Sequence, residues 1–192
     1  MAIKTFTTGE VLTASDTNTF LANSGLVHIA SLTATYGTTT ALNFDNVFTS
    51  SYENYRVVVG NMRLSAITGP VIRMRVGGVN NSAASYFYAQ VGLYYNGTAA
   101  NNNGASVTEW NTGAYCDASG LGFSTLAFDI FGPAITQRTI IHTTATGLAG
   151  SAYMRLGGGL HDNTSAFDGF TIYPFAGGTM GTRVSVYGYR IP

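Results

Sequence analysis

The chain has 192 residues, nine Lys/Arg balancing nine Asp/Glu, and only 9% charged residues, so it lacks the basic footprint a phosphate backbone requires and nucleic acid is not an expected partner. Its single cysteine, Cys116, excludes an intrachain disulfide and any zinc site built on cysteines. No run approaches the ~18 apolar residues of a membrane span, and the start lacks the apolar core of a signal peptide, so neither membrane insertion nor a secretory leader is expected.

Residues 1–25 read differently from the rest. They hold one short helix, with Thr13 or Ser15 as its cap, Asp16 in its first turn and Asn23, Ser24 and Gly25 as its stop. A turn or two of helix does not stand alone in water. Phe6, Val11, Leu12, Phe20 and Leu21 are therefore expected to dock on the chain's own domain or on a neighbouring subunit.

From Leu26 the hydrophobic period changes to two. Strands are predicted over residues 27–35, 38–44, 52–64, 71–76, 85–95, 107–110, 124–131, 138–146 and 152–156. In 52–64, Tyr55, Val57 and Val59 face one way while Asn54, Arg56 and Val58 face the other. In 71–76, Ile72, Met74 and Val76 oppose Val71, Arg73 and Arg75, the pattern of one buried and one solvated face. Residues 96–104 read as a polar Asn/Gly loop. Two last runs, 166–173 and 182–189, flank a Gly/Pro/Thr-rich connection and take the form of a closing β-hairpin. Aromatics at 12% and 24 glycines suit pleated, half-buried surfaces rather than disorder. The sum predicts an all-β fold, an antiparallel sandwich or barrel over residues 26–192, with residues 1–25 as an N-terminal arm.

Chemistry-bearing residues are scattered. His28, His142 and His161 lie far apart, and no Gly-x-Ser-x-Gly elbow accompanies them. Asp45, Glu53, Glu109, Asp117, Asp129, Asp162 and Asp168 show no pairing of the kind glycoside hydrolysis needs, so no catalytic residue is expected. The stretch from His161 to Asp168 gathers an imidazole with several oxygens and suits either a calcium site or ordinary turn chemistry, the turn being favoured; no metal and no cofactor are expected. Tyr86, Tyr88, Tyr94, Tyr95, Trp110 and Tyr115 concentrate around the Asn/Gly loop. Rings of this kind fill a core or a subunit interface, or they stack on sugars while amides meet hydroxyls. Tyr94, Tyr95, Asn96, Asn101, Asn102, Trp110 and Tyr115 are the residues where glycan or partner contact is expected.

Two segments resemble bacteriophage virion proteins of the tail-fibre, receptor-binding and capsid-decoration kind. The start, Phe6-Thr-Thr-Gly-Glu-Val-Leu-Thr-Ala-Ser-Asp-Thr-Asn-Thr-Phe-Leu-Ala-Asn, is similar to the N-terminal attachment segment of many phage fibre proteins. The second combines Tyr52-Glu-Asn-Tyr-Arg-Val-Val-Val-Gly-Asn-Met-Arg-Leu-Ser with Phe167-Asp-Gly-Phe-Thr-Ile-Tyr-Pro and Val186-Tyr-Gly-Tyr. The resemblance implies a jelly-roll-like β-sandwich, commonly a homotrimer, tethered to other virion proteins through residues 1–25 and assembled into a virion in a bacterial cytoplasm. Its loops would meet a host-surface glycan or capsid neighbours. It implies a non-enzymatic tail-fibre or receptor-binding protein; a capsid decoration protein that stabilises the head and a carbohydrate-binding module are the alternatives.

Overall fold

The computed structural model describes residues 7–11, 13, 25–116 and 123–190. The expected arm helix lies outside the described residues, as do Phe6, Leu12, Phe20, Leu21 and Asp117. Of the arm's apolar residues only Val11 is described, and it is exposed.

The described residues form thirteen strands and no helix: β1 (Leu26–Ala34), β2 (Leu42–Phe44), β3 (Tyr52–Leu64), β4 (Pro70–Val76), β5 (Val79–Asn80), β6 (Tyr86–Tyr94), β7 (Asn102–Val107), β8 (Trp110–Asn111), β9 (Ser124–Phe131), β10 (Thr139–Ala149), β11 (Ser151–His161), β12 (Gly169–Pro174) and β13 (Met180–Arg190). They build an antiparallel, jelly-roll-like sandwich. One sheet has eight strands in the order β1-β13-β3-β9-β10-β11-β6-β7, and the smaller one runs β2-β12-β4-β5, with β8 added to β4. From β1 to β4 each connection crosses between the sheets, so the chain wraps a common interior.

Alternation fills that interior. Tyr55, Val57 and Val59 of β3, Leu126, Phe128 and Ile130 of β9, and Val184 and Val186 of β13 are all buried on the large sheet. They meet Phe44, Ile72, Met74, Phe170 and Ile172 of the small sheet. Phe170 sits at the centre, stacked on Phe44 (4.8 Å) and packed against Phe48 and, edge-on, Phe128 (both 5.8 Å).

Three expectations change. The last two runs are not a hairpin: β12 pairs with β2 and β4 in the small sheet, whereas β13 lies between β1 and β3 in the large one. The turn residues between them do reverse the chain, with Gly177 and Gly178 both at positive φ, but they carry it across the sandwich. Local turn chemistry specifies a reversal without naming the strand's partner. Second, the Val71/Arg73/Arg75 face of β4 is not solvated, since Val71 and Arg75 are buried. Loops cover it, and Arg75 is satisfied by Asp45 (2.7 Å), Asn43, Asn80 and the Gly78 carbonyl. A buried cation with hydrogen-bonded partners replaces solvent there. Third, part of the Asn/Gly loop is strand: β7 begins at Asn102 and pairs with β6.

His161 illustrates how closed the interior is. It is fully buried, edge-on to Tyr86 (4.4 Å) and Phe167 (5.0 Å). Its Nδ1 accepts from the Asn163 amide (3.3 Å), and its Nε2 has no partner among the described residues. Burial pushes its pKa down, only partly offset by the Asn163 backbone and by Asp162.

Two outcomes follow from this packing. Phe170→Ala removes the ring shared by both sheets and should cost about 3–5 kcal/mol, read as a lower urea midpoint with an unchanged slope. The neutral His161 should make stability flat above about pH 6.5 and falling as pH drops below it, because the unfolded chain takes up a proton that the folded site resists. Calorimetric melting from about pH 8 to about pH 5 checks this. The decline should be shallower in His161→Phe, and an equal slope in the variant counts against the buried neutral imidazole.

Candidate functional site

The two-residue strand β8 organises the most chemically equipped surface. Trp110 points inward, is fully buried, meets Tyr86 edge-on (5.1 Å) and donates from Nε1 to the Leu160 carbonyl (3.3 Å). Its ring is therefore part of the core and meets no ligand, which corrects its place among the expected contact residues. Because neighbours in a strand face the other way, fixing Trp110 inward turns Glu109 and Asn111 outward. They line a cleft of about 280 Å³ with Val71, Tyr88, Asn102, Val107, Tyr115 and Phe175.

Glu109 is held rigidly. Arg73 donates to its Oε2 from Nη2 (2.6 Å) and Nε (3.1 Å), Thr108 from Oγ1 (2.7 Å) and Tyr173 from its hydroxyl (3.2 Å). Partial burial pushes the carboxyl's pKa up, but the hydrogen bonds from Thr108 and Arg73 and the charge of Arg73 outweigh it, leaving Glu109 below the usual carboxylate range. All four hydrogen bonds converge on one oxygen, so no donor among the described residues occupies Oε1. The site thus presents an ionised, immobilised acceptor.

The aromatic walls are also braced. The Tyr115 amide donates to the Tyr153 hydroxyl, which donates in turn to the Tyr115 carbonyl (2.8 Å). The Arg155 guanidinium lies 4.7 Å from the centre of the Tyr115 ring. Arg155 is itself buried, and its Nε and Nη1 have no hydrogen-bond partner among the described residues, which leaves the faces of Tyr115 and Tyr153 as its compensation. Tyr88 has its hydroxyl pKa raised by burial and by neighbouring Tyr115, against a hydrogen bond to Asn102. Asn111 is pinned through its carbonyl, which accepts from Gln90 Nε2 (2.5 Å), and its Oδ1 accepts from the Gly113 amide (3.0 Å). Gly113 has φ +80°, and a Cβ there would stand 3.1 Å from Gln90 Oε1, so glycine is required for this bracing. Exposed Phe175 completes the rim.

Of the expected contact residues, Asn102 and Tyr115 meet in this cleft. Tyr94 and Tyr95 line a separate shallow depression with Leu93, Gly97 and Met154, and Asn101 lies beside Val91 and Leu93 on the large sheet. Asn96 caps its own turn through the Thr98 amide (3.0 Å). Glu109, Asn111 and Phe175 were not singled out as contacts. The legible signal for the first two was the period of two around a tryptophan too large to sit outside.

The other expected chemistry is dispersed. Asp45 pairs with Arg75, Asp129 with Arg56 (3.7 Å) and Asp162 with Arg138. Asn163 Oδ1 accepts from the Ser165 amide (3.0 Å), which closes an Asx turn in the 161–168 loop. Among the described residues no three His, Cys, Asp or Glu gather as metal ligands. Cys116 is buried, its Sγ 3.3 Å from the Met62 carbonyl.

No protein family model matches the chain, and no curated protein matches it. Solved structures give weak likenesses. The CBM40 of the Ruminococcus gnavus IT-sialidase is 10% identical over 85% of this chain and 94% of that one, with a TM-score of 0.30. A fructofuranosidase from Schwanniomyces occidentalis in complex with fructosylnystose is 6% identical over 86% of this chain and 34% of that one (TM-score 0.25). A structure of infectious bursal disease virus, Gx strain, is 10% identical over 86% and 39% (TM-score 0.12). Likenesses at this level assign no function.

Proposed function

We propose that this chain is a non-enzymatic phage virion protein of the tail-fibre or tail-associated receptor-binding type, held to other virion proteins through residues 1–25 and binding a host-surface carbohydrate in the cleft beside β8. The virion half of this reading is supported by the two segments that resemble phage structural proteins. The binding half is carried by one observation: Glu109, ionised and clamped on one oxygen by Arg73, Thr108 and Tyr173, lines one cleft together with Tyr88, Tyr115, Asn102 and Asn111. A sugar ring offers apolar C–H faces to aromatic rings and hydroxyl donors to a fixed carboxylate. At about 280 Å³ the cleft is at the small end for ligand sites, ~300–1,000 Å³, which suits one sugar ring or a chain end.

A glycan array probed with the full chain, followed by calorimetric titration of the best ligand, tests this reading. Glu109→Gln should weaken binding about tenfold or more, since a hydrogen bond to a charged group contributes about 1.5–3 kcal/mol. Tyr115→Ala should weaken it comparably. The isolated protein should also compete with phage adsorption to host cells. Absence of both glycan binding and competition sinks the receptor reading.

The clamp adds a pH signature. Arg73→Gln removes the charge and hydrogen bonds that hold the Glu109 carboxyl low, so its pKa rises. On acidification, binding by the variant should fall at a higher pH than binding by the parent. Coincident pH profiles would show that the carboxylate is not the acceptor.

A further inference from the structure

The side of the large sheet turned away from the core carries no covering element among the described residues. Two cross-strand pairs stand next to each other there: Leu156 opposite Val91, and Met154 opposite Leu93. All four side chains are 50–64% exposed. Single exposed aliphatics are ordinary, but a contiguous group in register on two adjacent strands is not.

The rest of the face extends this surface. Following the register from β13 to β6, one row reads Ser185, Val58, Ala127, Thr144, Leu156 and Val91. No charge interrupts it across six strands. On one side of the row Arg56 and Asp129 neutralise each other (3.7 Å), and on the other the exposed Arg183 stands at the β13 end, away from the Leu156–Val91 and Met154–Leu93 pairs.

We infer that a second copy of this chain covers the outer face of the large sheet, packing on the Leu156–Val91 and Met154–Leu93 pairs. Charge and area select this occupant. A charged partner finds no complementary charge along the row, whereas a copy of the same neutral chain brings an identical uncharged row and needs none. A symmetric contact sets the same patch against itself. The face is large enough: eight strands at ~4.8 Å spacing and about ten residues each at ~3.4 Å span roughly 1,300 Å², against the ~800 Å² per partner of a standard stable interface. The cleft is left free, because Tyr88 and Asn102 project to the other side of β6 and β7. The inference stands apart from the carbohydrate reading.

Sedimentation velocity of the full chain over a dilution series tests it. The parent protein should sediment as a dimer or a higher multiple. Two double variants place charge on separate strands of the patch, Met154→Glu with Leu156→Glu, and Val91→Lys with Leu93→Lys. Both should be monomeric while keeping the parent's near-ultraviolet circular dichroism, since the replaced side chains are half exposed. Val79→Glu, an exposed apolar position on the small sheet, should leave association unchanged. A monomeric parent at every concentration overturns the inference, as does a folded double variant that associates like the parent.

Discussion

A tyrosine buried in an all-β interior must find a partner for its hydroxyl, and each of the three most buried here reaches at least one partner in a loop. The Tyr55 hydroxyl donates to the Thr49 carbonyl (2.8 Å) and accepts from the Thr49 amide (2.7 Å). Tyr86 donates to the Asn81 carbonyl (2.8 Å) and accepts from the Met74 amide (3.0 Å). Tyr153 closes the same kind of two-way bond on Tyr115. Burial raises all three hydroxyl pKa values, so each remains a neutral donor throughout the neutral range. The hydrophobic gain of the ring and the satisfaction of its polar end therefore act together: the core cannot close without drawing the loops down onto it. The cleft inherits its shape from two of these clasps, because Tyr86 packs against Trp110 under β8 and Tyr153 holds Tyr115.

That coupling explains which features were legible in the sequence. Period-two alternation reports burial directly, and so β3 and β9 run over the expected residues and the Tyr55/Val57/Val59 face is inward. Burial of the second face of β4 was not legible, because Arg73 and Arg75 read as solvated charges. Their partners, Glu109 and Asp45, lie far along the chain and are brought in by loops. The closing hairpin misled for a related reason. Phe170 and Ile172 of β12 and Val184 and Val186 of β13 are equally apolar, and nothing local says that the two strands face each other across the core instead of pairing edge to edge.

The candidate site shows the same division. Concentration of Tyr, Trp and Asn over residues 95–120 singled out a region in which the structure brings Asn102 and Tyr115 together in one cleft. Of the two readings held for Trp110, core ring and contact residue, the structure keeps the first: its size and single donor argue for the core, where the Leu160 carbonyl receives that donor. Once Trp110 is inside, Glu109 and Asn111 must be outside. The residue of most chemical use was thus visible as the neighbour of the most conspicuous one.

The two sheets differ in how their outer faces are finished, and this difference separates the functions assigned to them. The outer side of the small sheet is finished by the chain's own polar groups: loop carboxylates, Asp45 and Glu109, bind Arg75 and Arg73, and the amides of Asn43 and Asn80 on neighbouring strands add to Arg75. Those ion pairs compensate the burial of Arg75 and the partial burial of Arg73 and, in doing so, fix Glu109 in the position where a ligand can use its free oxygen. Asp45 meets Arg75 through both of its oxygens (2.7 and 3.4 Å) and is left without an equivalent free acceptor, so only one of the two pairs makes a site. The large sheet has the reverse finish: among the described residues nothing covers Val91, Leu93, Met154 and Leu156, and its outer row lacks charges that would keep it in water. One face is closed by internal polar contacts and yields a small, rigid, directional pocket. The other is left apolar and non-directional, which is the chemistry of association over a wide area rather than of recognising a small ligand.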